Sequence, residues 1–461
     1  MFVTRALRHS TRLSVVALAL LGGAGRGEAQ SVDTVMTLGG AGGALDLLRH
    51  YSPEYKVSLA QANFTSENML RAWGAWLPTV TARAIFQSNE AARRTAVDDF
   101  GISQVLDDPI QASSKNSYQA LEVNWLLFDG GQRFFDQGAS RADARAADLA
   151  AVATLVRLES EVEAQYYEAL KEQEQARLAR ELLAARARDL EVAQARFRIA
   201  AVAQTDVLQA EIEVSRQQLS ALRAEQAARA ARRELSALIG IADEVGYGLR
   251  DESEIFDPSV VAVEDLIALA RRANPSLERR AAEVQARKQG LWASRGTWLP
   301  DVNLSATFSR SENLGPDGNF FTLNPRDTGT DFRLTFSYPL INGFQKKWET
   351  GQQAARLQEA EQRKRGEVIQ MEKDVRNLYE ELGTRHRAYQ IQLRNVDQAR
   401  ELVRMATERY RIGATSYAEL QQAQDRETEA ERGLIESRYD FMRTLARLKA
   451  AVGAPITEVA S

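Results

Sequence analysis

Proline is missing from two long stretches of this chain. All ten prolines lie at positions 53, 78, 109, 258, 275, 300, 316, 325, 339 and 455, which leaves 110–257 and 340–454 without one. Proline breaks a helix interior because it lacks the N–H and its ring clashes with the preceding turn. Both stretches are rich in Ala, Glu, Gln, Arg and Leu, which lose little freedom in a helix. The pattern predicts two very long helices, about 132–199 and 345–411. A turn and a shorter helix follow each, about 205–239 and 417–452. At 1.5 Å per residue each long helix spans about 100 Å, far more than an ordinary domain is wide. Val368, Met371, Val375, Leu378 and Leu382 are spaced 3, 4, 3, 4, a coiled-coil seam. Leu155, Leu158, Val162, Tyr166 and Ala169 form the matching stripe of the first long helix.

The chain also repeats itself. Residues 52–80 align with 274–302 at an offset of 222 with seven of 29 positions identical, among them Trp76-Leu77-Pro78 and Trp298-Leu299-Pro300. Further on the offset is 213, pairing Asp129-Gly130 with Asn342-Gly343 and Gly240 with Gly453. Residues 196–210 and 409–423 share six of 15. A solenoid repeats every 20–50 residues or so, and a period above 200 means a duplicated domain instead. The halves are 30–240 and 264–461, joined by a linker at 241–263. The change of offset places nine extra residues between Pro78 and Phe128 of the first copy, the length variation that a surface loop tolerates.

Each copy reads helix, strand, loop, strand, long helix, turn, helix. In the second, a helix at about 264–296 is broken early at Asn274-Pro275. Val302, Leu304, Ala306 and Phe308 then alternate with polar residues, as do Phe332, Leu334, Phe336, Tyr338 and Leu340. A period of two is the mark of a strand with one apolar and one polar face. The four strands are expected at about 77–88, 117–128, 300–310 and 331–341. Each is about the length that crosses a bilayer when tilted. A soluble sheet with one wet face has the same pattern. Trp76, Trp125, Trp298 and Tyr338, at the strand ends, suit interfacial girdles of an outer-membrane barrel, and would equally suit packing between helix and strand.

The two ends and the composition narrow the function. Arg5, Arg8 and Arg12, the apolar run Leu13–Leu21 and the small-residue site Gly27-Glu28-Ala29 read as a signal peptide over 1–29. Beyond it no run of 18 apolar residues occurs, so a membrane could be spanned only by strands. With no cysteine and three histidines, thiol chemistry and a histidine metal cluster are not expected, and no cofactor is implied. A net charge of −4 argues against a nucleic-acid partner. No convergent nucleophile, base and stabiliser is visible, so an enzyme is not expected. The carboxylate pairs Asp98-Asp99 and Asp107-Asp108 read as loop residues.

Four strands cannot close a barrel, and lipid does not tolerate open edges, so at least two chains must share one. The expected fold is therefore mainly α with a small β part. Long antiparallel coiled-coil helices form a helical barrel, and four transmembrane strands per chain complete a shared oligomeric β-barrel. A soluble periplasmic coiled-coil scaffold or adaptor is the alternative, and leaves the four paired amphipathic strands unexplained.

The repeated Trp-Leu-Pro, the strand exits Leu127-Phe128-Asp129-Gly130-Gly131 and Leu340-Ile341-Asn342-Gly343, and the paired turns Arg198-Ile199-Ala200 and Arg411-Ile412-Gly413 resemble the TolC family of outer-membrane factors. The resemblance covers essentially the whole mature chain, in order and twice. It implies a homotrimer with a 12-stranded barrel in outer-membrane lipid and a helical tunnel in the periplasm. A periplasmic adaptor and an inner-membrane transporter are the implied partners, and small molecules or proteins the implied cargo. Carried over, the adaptor-binding tips are Arg198, Ile199, Ala200, Ala201, Val202 and Asp206 in the first copy. In the second they are Arg411, Ile412, Gly413, Ala414, Thr415 and Glu419. The resemblance also makes Glu401, Arg404 and Glu408, a few turns before the second tip, the candidate tunnel gate. Two departures from the family pattern stand out: Ala200 where a glycine is usual, and Leu126 where the second copy has Pro339. The segment 30–50, with Gly39, Gly40, Gly42 and Gly43, also departs from the usual helical lead-in.

Overall fold

The computed structural model describes residues 36–454, apart from 38–39, 98–100, 102, 200–201, 242–246, 253, 315–317, 320, 322 and 324. The signal segment 1–29, the pair Asp98-Asp99 and the tip residues Ala200 and Ala201 lie outside the described residues.

After a two-residue strand β1 (Met36–Thr37) come α1 (Gly40–Tyr51) and α2 (Pro53–Gly74), then the hairpin β2 (Thr79–Val97) and β3 (Ser103–Asp129). The long α3 (Gln132–Arg198) and shorter α4 (Gln204–Ile239) follow. A linker carries β4 (Tyr247–Gly248), paired parallel to β1. The second half comprises α5 (Val263–Ala273), α6 (Pro275–Gly296), β5 (Asp301–Leu314), β6 (Asp327–Ser337), α7 (Gln345–Arg411) and α8 (Tyr417–Val452). Both long helices have 67 residues and both shorter ones 36. From Gly40 onward the segment that departs from the family pattern is helical, as part of α1.

Local chemistry explains the breaks. Asn274 separates α5 from α6, its side chain accepting from the N–H groups of Ser276 and Leu277 while Pro275 takes the first helical turn. Ser52 caps α2 in the same way, with Pro53 beginning the helix. The seams predicted from spacing are buried: Leu158, Val162, Tyr166 and Ala169 meet Met371, Val375 and Leu382 in one core with Tyr439, Phe441 and Leu448 of α8. Packing against this core, rather than helix propensity, holds such helices in place. Tyr166 and Tyr439 also fix the linker: the Tyr166 hydroxyl donates to the Arg250 carbonyl at 2.7 Å, and that of Tyr439 to Asp251 at 2.9 Å.

The four long strands form one antiparallel sheet in the order β2-β3-β5-β6. Its bounds correct the sequence reading. The first hairpin reaches far beyond residue 88 and begins well before 117, because Asp107, Asp108 and Pro109 lie within β3 rather than in a loop. The register jumps there from Arg93↔Ile110 to Thr95↔Val105, so residues 106–109 bulge opposite Arg94. Strand β6 begins at Asp327 and stops at Ser337, four residues short of the expected end. Pro339 has no N–H to offer a ladder, which accounts for the early stop. At the corresponding exit Leu126 remains in strand, and the register shifts between Leu126 and Phe128 instead.

Candidate functional site

The sheet has two unlike faces. Trp125 pairs with Leu304, which pairs with Leu334, and Leu121 pairs with Phe308 four residues along. Together with Val80 these side chains form an apolar band that is exposed except at half-buried Leu304, and Phe332 on it is 76% exposed. The other face carries Glu122, Asn124, Ser305, Thr307, Asp331 and Arg333 in register. On it Arg83 meets Glu122 at 3.4 Å. Among the described residues, strands β2 and β6 are each paired on one side only.

Trp76, Trp125, Trp298 and Tyr338 sit where strands meet helices, in three places rather than one cluster. Trp125 Nε1 donates to the Trp76 carbonyl at 3.0 Å, and the Arg133 guanidinium lies 4.6 Å from the Trp76 ring. Trp298 Nε1 donates to Thr350 Oγ1 at 3.3 Å. Lys346 Nζ lies 5.3 Å above the Tyr338 ring.

Behind Trp76 is a junction that sequence reading missed. Asp129 accepts from Gly131 N, Arg133 N and Arg133 Nε at 3.1, 3.1 and 2.8 Å. Arg133, itself buried, also donates to the carbonyls of Ala75 and Leu127. Gly130 passes so close to α6 that a Cβ there would lie 2.0 Å from the Gly296 carbonyl oxygen. The recurrence of Asp-Gly-Gly at one strand exit and Asn-Gly-Phe at the other was the available signal. Phe344, matching Gly131, is the one non-glycine residue with positive φ among the described residues.

The tips at the far ends of the helices differ in their chemistry. At the second, Gly413 has φ 74°, Gly413 N donates to the Tyr410 carbonyl, and Ala414 N to that of Arg409. These are the paired bonds of a Schellman ending, which needs a left-handed residue at this position. Ser416 then caps α8, its hydroxyl accepting from Glu419 N at 3.3 Å. The Glu419 carboxylate in turn accepts from the Thr415 hydroxyl, where in a capping box it would reach back to the N–H of the capping serine. At the first tip Asp206 N donates to the Ala203 carbonyl, and α4 has no side-chain cap. Arg198, Ile199, Arg411, Ile412, Gly413 and Ala414 are exposed.

The two tips touch. Arg196 Nη2 donates to the Arg411 carbonyl at 2.9 Å, and its guanidinium lies 4.9 Å from the Tyr410 ring. Tyr410 in turn lies against Tyr417, whose ring packs on Ala193 and Ala210. Burial pushes the Tyr417 hydroxyl up to about 12, aided by Asp189 and opposed by Arg186. Higher up, buried Arg186 donates to Gln424, whose amide donates to Asp189 at 3.1 Å. Gln421 donates to buried Glu213 at 2.9 Å, so α8 is joined to both helices of the first hairpin.

Of the gate candidates, Glu401 and Arg404 are brought together. Arg404 donates to both carboxylate oxygens, at 2.6 and 2.9 Å, and so holds Glu401 below the usual carboxylate range. Glu408 pairs with Arg411 instead, at 3.0 Å. All three are exposed.

The family model described as outer membrane efflux protein matches residues 48–241 and 266–454. The chain belongs to this family of outer-membrane transport proteins. It is 25% identical over 420 residues to protein CyaE of Bordetella pertussis, covering 88% of this chain and 83% of that one. It is 26% identical over 295 residues to the alkaline protease secretion protein AprF of Pseudomonas aeruginosa, a match spanning 62% of this chain and 60% of AprF. The fold superposes on the CmeC outer membrane channel of Campylobacter jejuni with a TM-score of 0.74 at 13% identity, over 96% of this chain and 94% of that one.

Proposed function

We propose that this chain is one subunit of a homotrimeric outer-membrane conduit serving a tripartite efflux or type I secretion system. The observation that carries the proposal is the sheet, with an exposed apolar face, a polar face and two half-paired edges. Lipid would cover the first, a wet lumen the second, and neighbouring copies the third. Three copies would supply a 12-stranded barrel. No helix among the described residues is long and apolar enough to cross a membrane. The names of AprF, a secretion protein, and CmeC, an outer membrane channel, suit either kind of export.

The chain is read as an internal duplication with halves 30–240 and 264–461, a linker at 241–263, and long helices packed as coiled coils. The equal helix lengths support this. So does a matched contact: Gly240 closes α4 against Pro53, and Gly453 closes α8 against Asn274 and Pro275. The helices continue the barrel as a periplasmic tunnel, and the tips Arg198–Asp206 and Arg411–Glu419 meet a periplasmic adaptor. An inner-membrane transporter supplies the energy, because the conduit is passive and is not an enzyme. Glu401 and Arg404, with Glu408, line the narrow entrance.

The deciding experiment is the mass and shape of the mature protein extracted from outer membranes in mild detergent. A trimeric rod longer than about 100 Å, the length expected from the helical rise, is the expected result. A monomer or dimer that needs no detergent would mean that the strands never enter lipid, and a periplasmic scaffold would be the better reading.

A further inference from the structure

A cavity of about 750 Å³ opens in the helical wall, bordered by α2, α3, α6 and α7. Five arginines border it: Arg279, Arg280 and Arg287 from α6, and Arg356 and Arg363 from α7. The cavity lining holds only three carboxylates, Asp143, Glu283 and Glu359, and a fourth, Glu367, meets Arg280 at 3.2 Å from beyond it. Those three are already engaged. Glu283 is shared by Arg280 at 3.0 Å and Arg279 at 3.5 Å, Glu359 meets Arg363 at 2.5 Å, and Asp143 meets Arg287 at 3.8 Å. Arg279 Nε is buried with no acceptor. Arg356 makes no ion pair among the described residues. The cavity therefore holds guanidinium donors in excess of the acceptors around it.

Its side of the wall follows from the helices. Thr65 and Asn68 of α2 share the cavity with Arg356 and Arg363 of α7, although α3 and α6 stand between those two helices. Side chains of a first and a fourth helix converge only on the concave side of a curved wall. On α6, Trp292 is nine residues from Glu283, half a turn around the axis at 100° per residue. That exposed ring stacks on Phe135 at 6.0 Å, on the opposite side from the arginines.

We propose that this cavity is an oxyanion site on the inner wall of the conduit, one that takes polyphosphate or similarly charged phosphorylated or sulfated solutes. The planar guanidinium presents paired N–H donors that match two oxygens of such a group. A recess between helices also screens the attraction less than open water does. The inference rests on the conduit reading for its placement in the lumen, and on the cavity itself for binding.

The test uses the assembled full-length protein in a planar bilayer with sodium tripolyphosphate as the probe. Open-channel current without the probe examines the conduit, and its decline with the probe examines the site. Tripolyphosphate is expected to block, while sodium chloride of equal ionic strength does not. In Arg279→Gln with Arg356→Gln, the half-blocking concentration should rise about tenfold or more for the two charge-assisted donors removed. Arg356→Gln alone, at an exposed position, serves where the double variant fails to assemble, and should show a smaller rise. Absence of block, or equal block in the variants, overturns the lumenal site. If no current is seen at all, the conduit reading fails, and calorimetric titration of the detergent-extracted protein with tripolyphosphate decides the cavity: no binding heat, or heat unchanged by Arg356→Gln, overturns it.

Discussion

Arg196 on the first long helix donates to the main-chain carbonyl of Arg411 on the second, 2.9 Å away and 215 positions along the chain. The acceptor is one of the helix-end carbonyls that has no partner within its own helix. The contact thus ties the end of α7 to the other hairpin just where α7 turns. Replacing Arg196 with Ala frees that end and removes the stacking on Tyr410. Because the site is only half-buried, the cost in stability should stay below about 1 kcal/mol. Single-channel conductance of the assembled protein should rise, since the second tip can then swing away from the first. Lys at this position keeps the charge but loses the fork, and is expected to fall between the two. Unchanged conductance in Arg196→Ala would show that the contact does not restrain the entrance.

Gly413 permits a separation of roles. Its φ of 74° costs an L-residue with a side chain about 1–2 kcal/mol. Proline there would also remove the N–H that bonds the Tyr410 carbonyl. A bulky residue at exposed Ala414 disturbs the same surface without that strain. Gly413→Pro and Ala414→Trp are both expected to abolish export while the oligomer forms normally, because the tips lie about 100 Å from the sheet at the helical rise. Export assays paired with the mass of the detergent-extracted protein check this. Loss of the oligomer would mean that the tips also take part in assembly.

The extent to which this could be read from residues varies with the element. The bounds of α3, α4, α7 and α8 were legible because proline was absent and apolar residues recurred at spacings of 3 and 4. Of the seam from Val368 to Leu382, Met371, Val375 and Leu382 are buried and Val368 and Leu378 partly so. The upper part of the first hairpin was not legible, since residues beyond Ser88 carry polar groups on both faces and leave no period of two. Asp107-Asp108-Pro109 signals a loop locally, but the bulge opposite Arg94 absorbs it into β3. Among site residues, Glu401 and Arg404 are three apart, so a helix alone brings them together. Arg196, Arg186 and the arginines of the cavity acquire their roles from helices far apart in sequence, which no local pattern reports.

Arg133 offers a test of the strand-to-helix junction. Truncation to Ala leaves the buried Asp129 carboxylate and the Ala75 and Leu127 carbonyls short of donors. Breaking a buried pair by removing one partner costs about 3–5 kcal/mol. Arg133→Ala should therefore lower the thermal midpoint of the assembled protein and its yield in the outer membrane, with Lys recovering only part of the loss. Asp129→Asn with Arg133→Gln, which keeps polar partners on both sides, should be less damaging than Arg133→Ala alone. A midpoint unaffected by Arg133→Ala would mean that water satisfies the junction.

Glu427, half-buried on α8, gives a stability term whose sign can be worked out. Burial raises its carboxyl above the ordinary 4.5, with Glu431 adding to the effect and Arg400 and Arg186 opposing it. A carboxyl raised in the folded state binds more protons there than in the unfolded chain, so stability falls as pH rises from about 4.5 through the folded value. The penalty is fully present at neutral pH and absent well below 4.5, where both states are protonated. Glu427→Gln removes the charge at every pH. It should raise the thermal midpoint at pH 7 to 8 by a modest amount, because the site is partly solvated, and the gain should shrink towards zero near pH 4. Midpoints measured for both proteins across that range check the sign. A substitution that lowers the midpoint at neutral pH would instead make the charged form of Glu427 the favourable one, held by Arg400 across to α7.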